Sequence, residues 1–422
     1  MKILMVGSGG REHALIKKLK ESDRVKQVIC APGNGGIACD AQCFPVPVTD
    51  IEAMVGLALE EKADLVFVAP DDPLAAGMAD AMQAAGLRVF GPSAKAAEIE
   101  SSKVFAKSLM KKYAIPTADY EVFDCAQKAV EYIASVGKYP TVIKADGLAL
   151  GKGVIIAESF EQAQRAVQDI MNDKVFGDAG SKIVVEEFLT GPEVSVLAFT
   201  DGETVSPMIS SMDHKKALEG DRGLNTGGMG AIAPNPFYTQ EHARFCMEHI
   251  FLPTIAAMNA ENRKFKGCLY FGLMLTAQGP KVIEYNCRFG DPETQVVLPL
   301  LKTPLIDVVD AVIDGNLAQM ELEWSRQNSA CVILASGGYP VSYAKGYEIK
   351  GLDSRGCAED VTVYHAGTLC KNGVFYTNGG RVLGISAQKN SLREALGAAY
   401  QAIDKISFED MHYRTDIGAR AI

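Results

Sequence analysis

Apolar strand-like runs alternate with amphipathic helical stretches throughout the first hundred residues of this 422-residue chain. The apolar runs are "KILMVG", "VKQVICAPG", "ADLVFVAPD" and "LRVFGPS", and stretches such as "REHALIKKLKE" and "DIEAMVGLALEEK" separate them. This βαβαβαβ pattern predicts an α/β fold that begins with a parallel, doubly wound sheet. Ligands bind such sheets at the carboxyl ends of the strands, which are here residues 7–11, 31–36 and 69–73.

The pattern changes after Pro116, and the remaining residues divide into three further units. Residues 117–190 combine a strand pair, a helix and another strand, which predicts a small α+β unit. Residues 191–325 contain longer strands, including two antiparallel strands joined at residues 277–280. Residues 326–422 predict a smaller, strand-rich C-terminal domain. Within the third unit, residues 214–236 are too polar and too rich in glycine to suggest a core element.

Charge and cysteine content exclude several classes of partner. A net charge of −10 disfavours a nucleic acid or an anionic membrane, because both need a basic surface. The ten cysteines form no CxxC pair, which predicts reduced thiols. No apolar run approaches the 20 or so residues that a bilayer span needs, and "MKILMVG" begins directly with a strand. We therefore expect a cytoplasmic protein.

The stretch "GSGGREH", residues 7–13, resembles a dinucleotide-binding turn after the first strand. That fingerprint needs a third glycine where Glu12 stands, and an acidic residue where Cys30, Ala31 and Pro32 end the second strand. Both requirements fail, which disfavours a nicotinamide-dependent oxidoreductase. Two interpretations remain open: a phosphate cradle at the N-terminus of a helix, or a tight turn without a ligand.

The stretch "GLALGKG", residues 147–153, is a second glycine-rich turn, with strands on both sides. It differs from a Walker loop, because only three residues separate the glycines and Gly153 stands where a Ser or Thr would hold magnesium. It is either a hairpin that covers phosphates or an ordinary hairpin. Lys103 and Lys144 favour the first interpretation, since a lysine near such a turn can hold phosphate oxygens.

The stretch "VIEYNCRFGDPETQ", residues 282–295, concentrates charge at the end of an apolar strand. Alternation along a strand places Glu284 and Asn286 on one face. Two such oxygen donors suit Mg²⁺, which takes few protein ligands and fills its shell with water and phosphate. Arg288 follows, and its guanidinium suits a carboxylate or a phosphoryl group. There are three alternatives: a solvated loop, a self-sufficient metal site, and an anion site completed by a metal. The last is favoured, because residues 267–276 offer no carboxylate.

Several motifs together carry a resemblance to a known family. They are "VGSGGREHAL", "APGNGG", "GPSAKAAEIESSKVFAK", "IKADGLALGKGV", "EEFLTGPE", "DHKKALEGDRGLNTGGMGA" and "EYNCRFGDPETQ". In this order they closely resemble the glycinamide ribonucleotide synthetase family of the ATP-grasp superfamily, and the resemblance covers essentially the whole chain. Asp71, Asp72, Met212 and Leu224 depart from the family pattern near the amine substrate.

The resemblance implies a fold and a reaction. Residues 1–116 would form the parallel-sheet domain, 117–190 the lid subdomain and 191–325 the central domain of an ATP-grasp fold, and 326–422 the C-terminal domain. The enzyme would ligate glycine to 5-phosphoribosylamine through glycyl phosphate, with ATP and Mg²⁺ or Mn²⁺, as a monomer or weak homo-oligomer. The alternatives are another ATP-grasp carboxylate–amine ligase and a regulatory nucleotide-binding protein without activity.

The same resemblance assigns site residues. The ATP site would contain Lys103, Lys144, Gly151, Lys152, Gly153, Glu186, Glu187, Phe188, Leu189 and Glu193. The metal would be held by Glu284 and Asn286. The glycine and amine sites would contain Gly9, Gly10, Arg11, Pro70, Asp71, Asp213, Lys215, Asn225, Thr226, Gly227, Gly228, Met229 and Arg288. Lys144, Asp213 and Arg288 are the catalytic candidates.

Overall fold

A five-stranded parallel sheet in the order β3-β2-β1-β4-β5 opens the chain in the computed structural model, which describes residues 1–148 and 153–422. Its elements, in chain order, are β1 (Lys2–Gly7), α1 (Gly10–Leu19), β2 (Gln27–Pro32), α2 (Ile37–Asp40), β3 (Gln42–Cys43), α3 (Ile51–Glu60), β4 (Leu65–Val68), α4 (Asp71–Ala75), α5 (Met78–Ala84), β5 (Val89–Phe90), α6 (Ala94–Ser101) and α7 (Lys103–Lys112).

Both faces of this sheet are covered. Leu4 and Val6 of β1 pack in one hydrophobic cluster, while Ile3 and Met5 pack in another on the opposite face. Because parallel strands with helices on both faces are buried all round, their sequences are unbroken apolar runs rather than alternating ones. The predicted doubly wound sheet is confirmed.

A four-stranded antiparallel sheet in the order β6-β9-β7-β8 follows, with a small core of its own. Its elements are β6 (Tyr120–Phe123), α8 (Ala126–Val136), β7 (Thr141–Ala145), β8 (Val154–Ala157), α9 (Phe160–Val167) and β9 (Ile183–Glu187). The strand pair β7–β8 flanks the glycine-rich turn, as the sequence predicts.

A third sheet, in the order β11-β10-β16-β17, forms the floor of the site described below. The elements of this part of the chain are β10 (Glu193–Thr200), β11 (Val205–Pro207), β12 (Met212–Asp213), β13 (Lys216–Leu218), β14 (Arg222–Asn225), β15 (Gly230–Ala233), α10 (Gln240–Cys246), α11 (Leu252–Ala260), β16 (Gly267–Thr276), β17 (Gly279–Asn286), α12 (Thr294–Val297) and α13 (Leu305–Asp314). β16 and β17 form the predicted antiparallel pair.

The last sheet joins strands from two parts of the chain, in the order β12-β15-β18-β22-β19, with β23 beside β18. Its C-terminal elements are β18 (Asn328–Ser336), β19 (Thr362–His365), β20 (Thr368–Lys371), β21 (Val374–Thr377), β22 (Arg381–Lys389), α14 (Leu392–Ile403) and β23 (Met411–His412). None of the helices in the described ranges is both long and apolar enough to cross a bilayer.

The expectation that residues 214–236 contribute no core element is wrong. Strand β15 lies inside this span, is wholly buried and pairs with β12 and β18. The small residues of β15 allow close packing against strands that are distant in sequence. Because the burial of β15 depends on its pairing with β18, its own composition does not show that it is buried. Because this strand joins the C-terminal sheet, the domain division at residues 116, 190 and 325 stays a prediction.

Candidate active site

A cavity of about 770 Å³ opens between the N-terminal helices, the β6–β9 sheet and the β10–β17 sheet. Many residues that the sequence assigned to a site line this one cavity. They are Lys103, Lys144, Gly153, Glu186, Glu187, Phe188, Leu189, Glu193, Asp71, Asp213, Lys215, Asn225, Thr226, Gly227, Glu284, Asn286 and Arg288.

One end of the cavity, which we call the lysine end, is built from Lys107, Lys144 and Glu186. The buried Glu186 carboxylate pairs with Lys107 Nζ at 2.9 Å and with Lys144 Nζ at 3.0 Å. Lys144 Nζ also donates to the Ile283 carbonyl at 3.0 Å, which ties β7 to β17. Burial lowers the pKa of Lys107 to about 8. Both lysines are therefore within ion-pairing distance of Glu186, although its Oε1 atom accepts no hydrogen bond within the described part of the chain.

Lys103 lies at the start of α7, beside the glycine-rich turn. Its Nζ donates to the Gly147 carbonyl at 2.7 Å, and burial lowers its pKa. Asp146 accepts from Ser102 Oγ and from the Val104 N–H, each at 3.1 Å, which fastens the turn to the helix. The predicted ATP-site residues Gly151 and Lys152 lie outside the described residues.

Strand β17 presents alternate side chains to two environments. Glu284 and Asn286 face the cavity, whereas Tyr285 and Cys287 pack in the core on the other side. Lys215 Nζ lies 3.2 Å from Glu284 Oε1, and this positive charge lowers the pKa of Glu284 to about 2. Glu284 is therefore ionised at neutral pH.

The opposite end of the cavity, which we call the acid end, contains Asp213, Glu293 and Tyr270. The buried Oδ1 atom of Asp213 has no hydrogen-bond partner within the described part of the chain. Burial, and then the neighbouring Glu293, raise the pKa of Asp213 well above its ordinary value. Ser195 Oγ lies 2.8 Å from Tyr270 Oη and donates to Glu293 Oε1 at 3.2 Å. The positive charges of Lys215 and Arg381 also act on Asp213, but burial and Glu293 outweigh them.

Arg288 lies between two acids that come from the N-terminal unit. Its Nη2 atom is 3.4 Å from Glu100 Oε1 and 3.7 Å from Asp71 Oδ2. The Cys287 N–H donates to Glu100 Oε2 at 2.7 Å, so the same acid holds both the backbone and the guanidinium. Among the described residues, buried Nε of Arg288 has no partner. The guanidinium thus retains a free donor beside the cavity.

Six described residues of the predicted site stand apart from the cavity wall, namely Gly9, Gly10, Arg11, Pro70, Gly228 and Met229. The Gly9 N–H donates to Glu12 Oε2. Arg11 Nε pairs with Glu12 Oε1 at 2.6 Å, and its Nη1 donates to the Phe289 carbonyl at 3.1 Å. A Cβ atom on Gly7 would lie 2.5 Å from Glu12 Cγ. The Glu12 side chain therefore lies against Gly7 and accepts the Gly9 N–H.

Three charged residues near the cavity escaped the sequence interpretation, namely Glu100, Lys107 and Glu293. All three side chains are buried, although acidic and lysine residues are seldom buried without a partner. Glu100 and Lys107 lie three and four residues from Lys103 on consecutive helices. Their spacing of three and four residues from Lys103 was the sequence signal that could have identified Glu100 and Lys107. Only the packing of β9 and β17 against these helices shows which charged side chains form pairs.

Glu284 and Asn286 offer the kind of oxygen ligands that Mg²⁺ and Mn²⁺ accept. The carboxylate is ionised and both side chains line the cavity. No cluster of three His, Cys, Asp or Glu residues suited to a metal occurs in residues 1–148 and 153–422. The donor set therefore fits a divalent cation that takes most of its ligands from a bound nucleotide and water.

Three family models of phosphoribosylglycinamide synthetase match the chain. The N domain matches residues 1–100, the ATP-grasp (A) domain residues 101–294 and the C domain residues 329–420. The phosphoribosylamine–glycine ligase of Caldanaerobacter subterraneus subsp. tengcongensis is 49% identical over 419 residues, which cover 99% of this chain and all of that protein. The ligase of Halalkalibacterium halodurans is 49% identical over 422 residues, covering 100% of this chain and 97% of the relative.

A solved structure agrees with these matches. The crystal structure of phosphoribosylamine–glycine ligase from Thermotoga maritima superposes with a TM-score of 0.86 at 33% identity, covering 99% of this chain and 100% of that one. The predicted combination of a parallel-sheet domain, an ATP-grasp fold and a strand-rich C-terminal domain is confirmed. Shared sequence and shared fold over the full length lead to one conclusion: this chain is a member of the phosphoribosylamine–glycine ligase family of ATP-grasp enzymes.

Proposed function

We propose that the chain joins glycine to 5-phosphoribosylamine in purine biosynthesis, giving glycinamide ribonucleotide, ADP and phosphate by way of glycyl phosphate. A carboxylate acylates an amine poorly, so one oxygen of glycine first attacks the γ-phosphorus of ATP and ADP leaves. The amine nitrogen then attacks the carbonyl carbon, and phosphate leaves while the nitrogen loses a proton. Such phosphoryl transfer depends on positioning and charge neutralisation rather than on a protein nucleophile.

One observation carries the proposal. Asp213 and Arg288 line the cavity that contains the lysine end. Each has a buried atom, Oδ1 and Nε respectively, without a hydrogen-bond partner among the described residues. A carboxylate acceptor and a guanidinium donor suit the two charged groups of a small zwitterion such as glycine. Asp213 would accept from the ammonium group and Arg288 would donate to the carboxylate. Well-oriented reactants remove about 7 to 11 kcal/mol of barrier by positioning alone.

ATP would occupy the lysine end. Lys103 and Lys144 would neutralise its phosphates together with the 151–153 turn. The segment Glu186–Leu189 would line the adenine slot, although the Glu186 carboxylate is already engaged by two lysines. Glu193 begins β10 with its side chain half exposed, which suits a contact to the ribose hydroxyls.

Glu284 and Asn286 would hold Mg²⁺ or Mn²⁺, and such a cation, when bound, supplies charge neutralisation at the phosphates. The amine substrate would extend from Asp213 towards the 225–229 loop and the turn at residues 9–11. All ten cysteines are free, and we propose a cytoplasmic location because reduced thiols persist there. A monomeric or weakly oligomeric state stays part of the proposal.

The test is phosphate release by purified protein with ATP, Mg²⁺, glycine and freshly made phosphoribosylamine. Release should require both glycine and the amine, and the ligated product should appear in equal amount to the phosphate. Release that is independent of either substrate would overturn the proposal. A higher kcat/KM with another carboxylate would instead identify a different ATP-grasp carboxylate–amine ligase.

A further inference from the structure

Arg381 brings a C-terminal guanidinium to the acid end of the cavity. It is the first residue of β22, which belongs to the sheet formed with β18 and β19. Its side chain is about four-fifths buried. Two adjacent backbone segments, at Gly367 and Gly379, approach so closely that a Cβ on Gly367 would lie 2.4 Å from the Gly379 Cα. The start of β22 is therefore held tightly against its neighbours.

The guanidinium connects two loops that are far apart in sequence. Nη1 donates to the carbonyl of Gly227 at 2.6 Å, of Asp291 at 2.8 Å and of Gly228 at 3.5 Å. Nη2 pairs with Asp291 Oδ2 at 3.1 Å. The planar fork of an arginine suits such simultaneous contacts, whereas a lysine supplies a single point charge. Arg381 thus joins the 225–229 loop to the turn that follows Arg288.

Close packing fixes the 225–229 loop from both sides. A Cβ atom on Gly227 would lie 2.9 Å from the Arg381 Cζ, and one on Gly228 would lie 2.4 Å from Pro292 Cδ and 2.7 Å from Asp213 Oδ1. A second C-terminal group, Tyr339 Oη, accepts from the Gly227 N–H at 3.0 Å. The loop is therefore clamped between Asp213 on one side and the C-terminal domain on the other.

Asp291 extends the connection to the first loop of the chain. Its Oδ1 accepts from Gln295 Nε2 at 2.7 Å, and its Oδ2 lies 3.4 Å from the position of a Cβ on Gly9. Burial opposes ionisation of Asp291, but the positive charges of Arg381 and Arg11 lower its pKa. Residues from the N-terminal, central and C-terminal parts therefore converge at the Asp291–Arg381 pair.

We infer that Arg381 is a positioning residue for the ligation: it holds the 225–229 loop and the Asp291 turn in the spacing that lets Asp213 and Arg288 receive the glycine and amine substrates. The inference rests on the proposed function. It assigns a role in the active site to the C-terminal domain. Within the part of the chain that the structure describes, Arg381 and Tyr339 are the C-terminal residues that form hydrogen bonds to Gly227 and Gly228.

The experiment compares Arg381→Gln, Arg381→Lys and Gly227→Ala with wild type in the phosphate-release assay. A misplacement of about 1 Å can cost about 100-fold, so Arg381→Gln should lower kcat/KM for glycine and for the amine about 10- to 100-fold. Affinity for ATP, measured separately by equilibrium nucleotide binding, should change less than twofold. Arg381→Lys should recover part of the loss, because it retains the charge opposite Asp291 but not the fork.

Gly227→Ala would place a Cβ atom 2.9 Å from the Arg381 Cζ and so disturb the same contact from the side of the loop, and it should produce the same selective loss. It also keeps the test decisive if Arg381→Gln fails to fold. Arg24→Gln is the matched control. Arg24 also pairs with two acids that are distant in sequence, Asp307 and Asp310, and these three residues do not line the cavity. This control should retain wild-type kinetics.

Equal losses for ATP, glycine and the amine in Arg381→Gln would indicate general structural damage and overturn the inference. Wild-type kinetics in Gly227→Ala would also overturn it, because the loop would then not transmit the effect. Wild-type enzyme that releases phosphate without both substrates would refute the proposed function itself, which is a distinguishable result.

Discussion

The two ends of the cavity differ in how their charges are compensated. At the lysine end, Glu186 is held by two lysines at 2.9 and 3.0 Å, and all three side chains are buried. At the acid end, Asp213 has a buried oxygen without a partner among the described residues, and Glu293 adds further negative potential. At the lysine end the acid therefore has two cations within ion-pairing distance, whereas at the acid end burial and Glu293 outweigh the positive charges of Lys215 and Arg381.

This difference teaches how each end prepares for its ligand. A buried ion pair that is fully formed fixes side-chain positions in advance, and breaking it is costly. A buried polar atom without a partner raises the free energy of the empty protein, so a ligand that supplies the partner regains that free energy on binding.

Glu284→Gln should have the largest effect, because Glu284 lies between the two ends and carries the negative charge opposite Lys215. We expect kcat to fall about 1000-fold, which corresponds to about 4 kcal/mol of transition-state free energy. Folding should change little, since the side chain faces the cavity rather than the core. The measurement is phosphate release at saturating substrates together with thermal unfolding.

Glu203→Gln is the control for this variant, because Glu203 is exposed and pairs with the likewise exposed Lys264. It should retain wild-type kcat. Wild-type turnover of Glu284→Gln at limiting Mg²⁺ would show that Glu284 does not hold the cation.

Lys107→Met tests the paired end. Breaking a buried pair leaves an uncompensated charge and typically costs about 3 to 5 kcal/mol. Glu186 keeps Lys144, so we expect a loss near the lower limit, about 3 kcal/mol in the free energy of unfolding. Denaturant titration measures it. Lys112→Met on the same helix is the control, because Lys112 is exposed, and a midpoint for Lys107→Met equal to that control would contradict the prediction.

Asp213→Asn tests the unpaired end. Hydrogen bonds to charged groups contribute about 1.5 to 3 kcal/mol, so loss of the carboxylate should lower kcat/KM for glycine about 30-fold. The KM for ATP should stay near wild type, because the lysine end is unchanged. Steady-state kinetics with each substrate varied in turn separate these effects. An equal rise in the KM for ATP would show that the two ends are not distinct.

The smallest effect is a pH dependence of stability at Asp213. Its pKa is raised in the folded state, so the folded protein binds the proton more tightly than the unfolded chain does. The stabilisation by the protonated form is complete below the unfolded pKa of about 4 and is lost as the pH rises towards the folded pKa. Asp213→Asn lacks this loss. Its free energy of unfolding should therefore rise by about 1 kcal/mol relative to that of wild type between pH 5 and pH 7.

Thermal unfolding without ligands at several pH values measures this difference. Asp124→Asn is the control for the chemical change, because Asp124 is exposed. If the difference in thermal stability between Asp213→Asn and wild type were constant with pH, burial would not destabilise the ionised form of Asp213.

Several features of the site were predictable from the sequence. Alternation along β17 correctly placed Glu284 and Asn286 on the cavity face and Tyr285 and Cys287 in the core, because side chains alternate on any strand. The parallel N-terminal sheet followed from its apolar periodicity for the same local reason. The motifs around Lys144 and Arg288 identified the family without any knowledge of three-dimensional contacts.

The two glycine-rich loops show where such inference ends. The turn at residues 7–11 has the composition of a phosphate cradle, and the Glu12 side chain packs against Gly7 and accepts the Gly9 N–H. The 225–229 loop has a similar composition, yet it borders the cavity and is clamped by Arg381. Glycine content permits close approach of another group, but it does not specify which group approaches.

The order of elements, the faces of the strands and the family could be predicted from the residues alone, because these features depend on local periodicity and on motifs. The tertiary structure decided the partners of the charges: Glu186 between Lys107 and Lys144, Arg288 between Glu100 and Asp71, and Arg381 against Gly227 and Asp291. These contacts join residues that are distant in sequence, and only the packing of their helices, strands and loops brings them within hydrogen-bonding or ion-pairing distance.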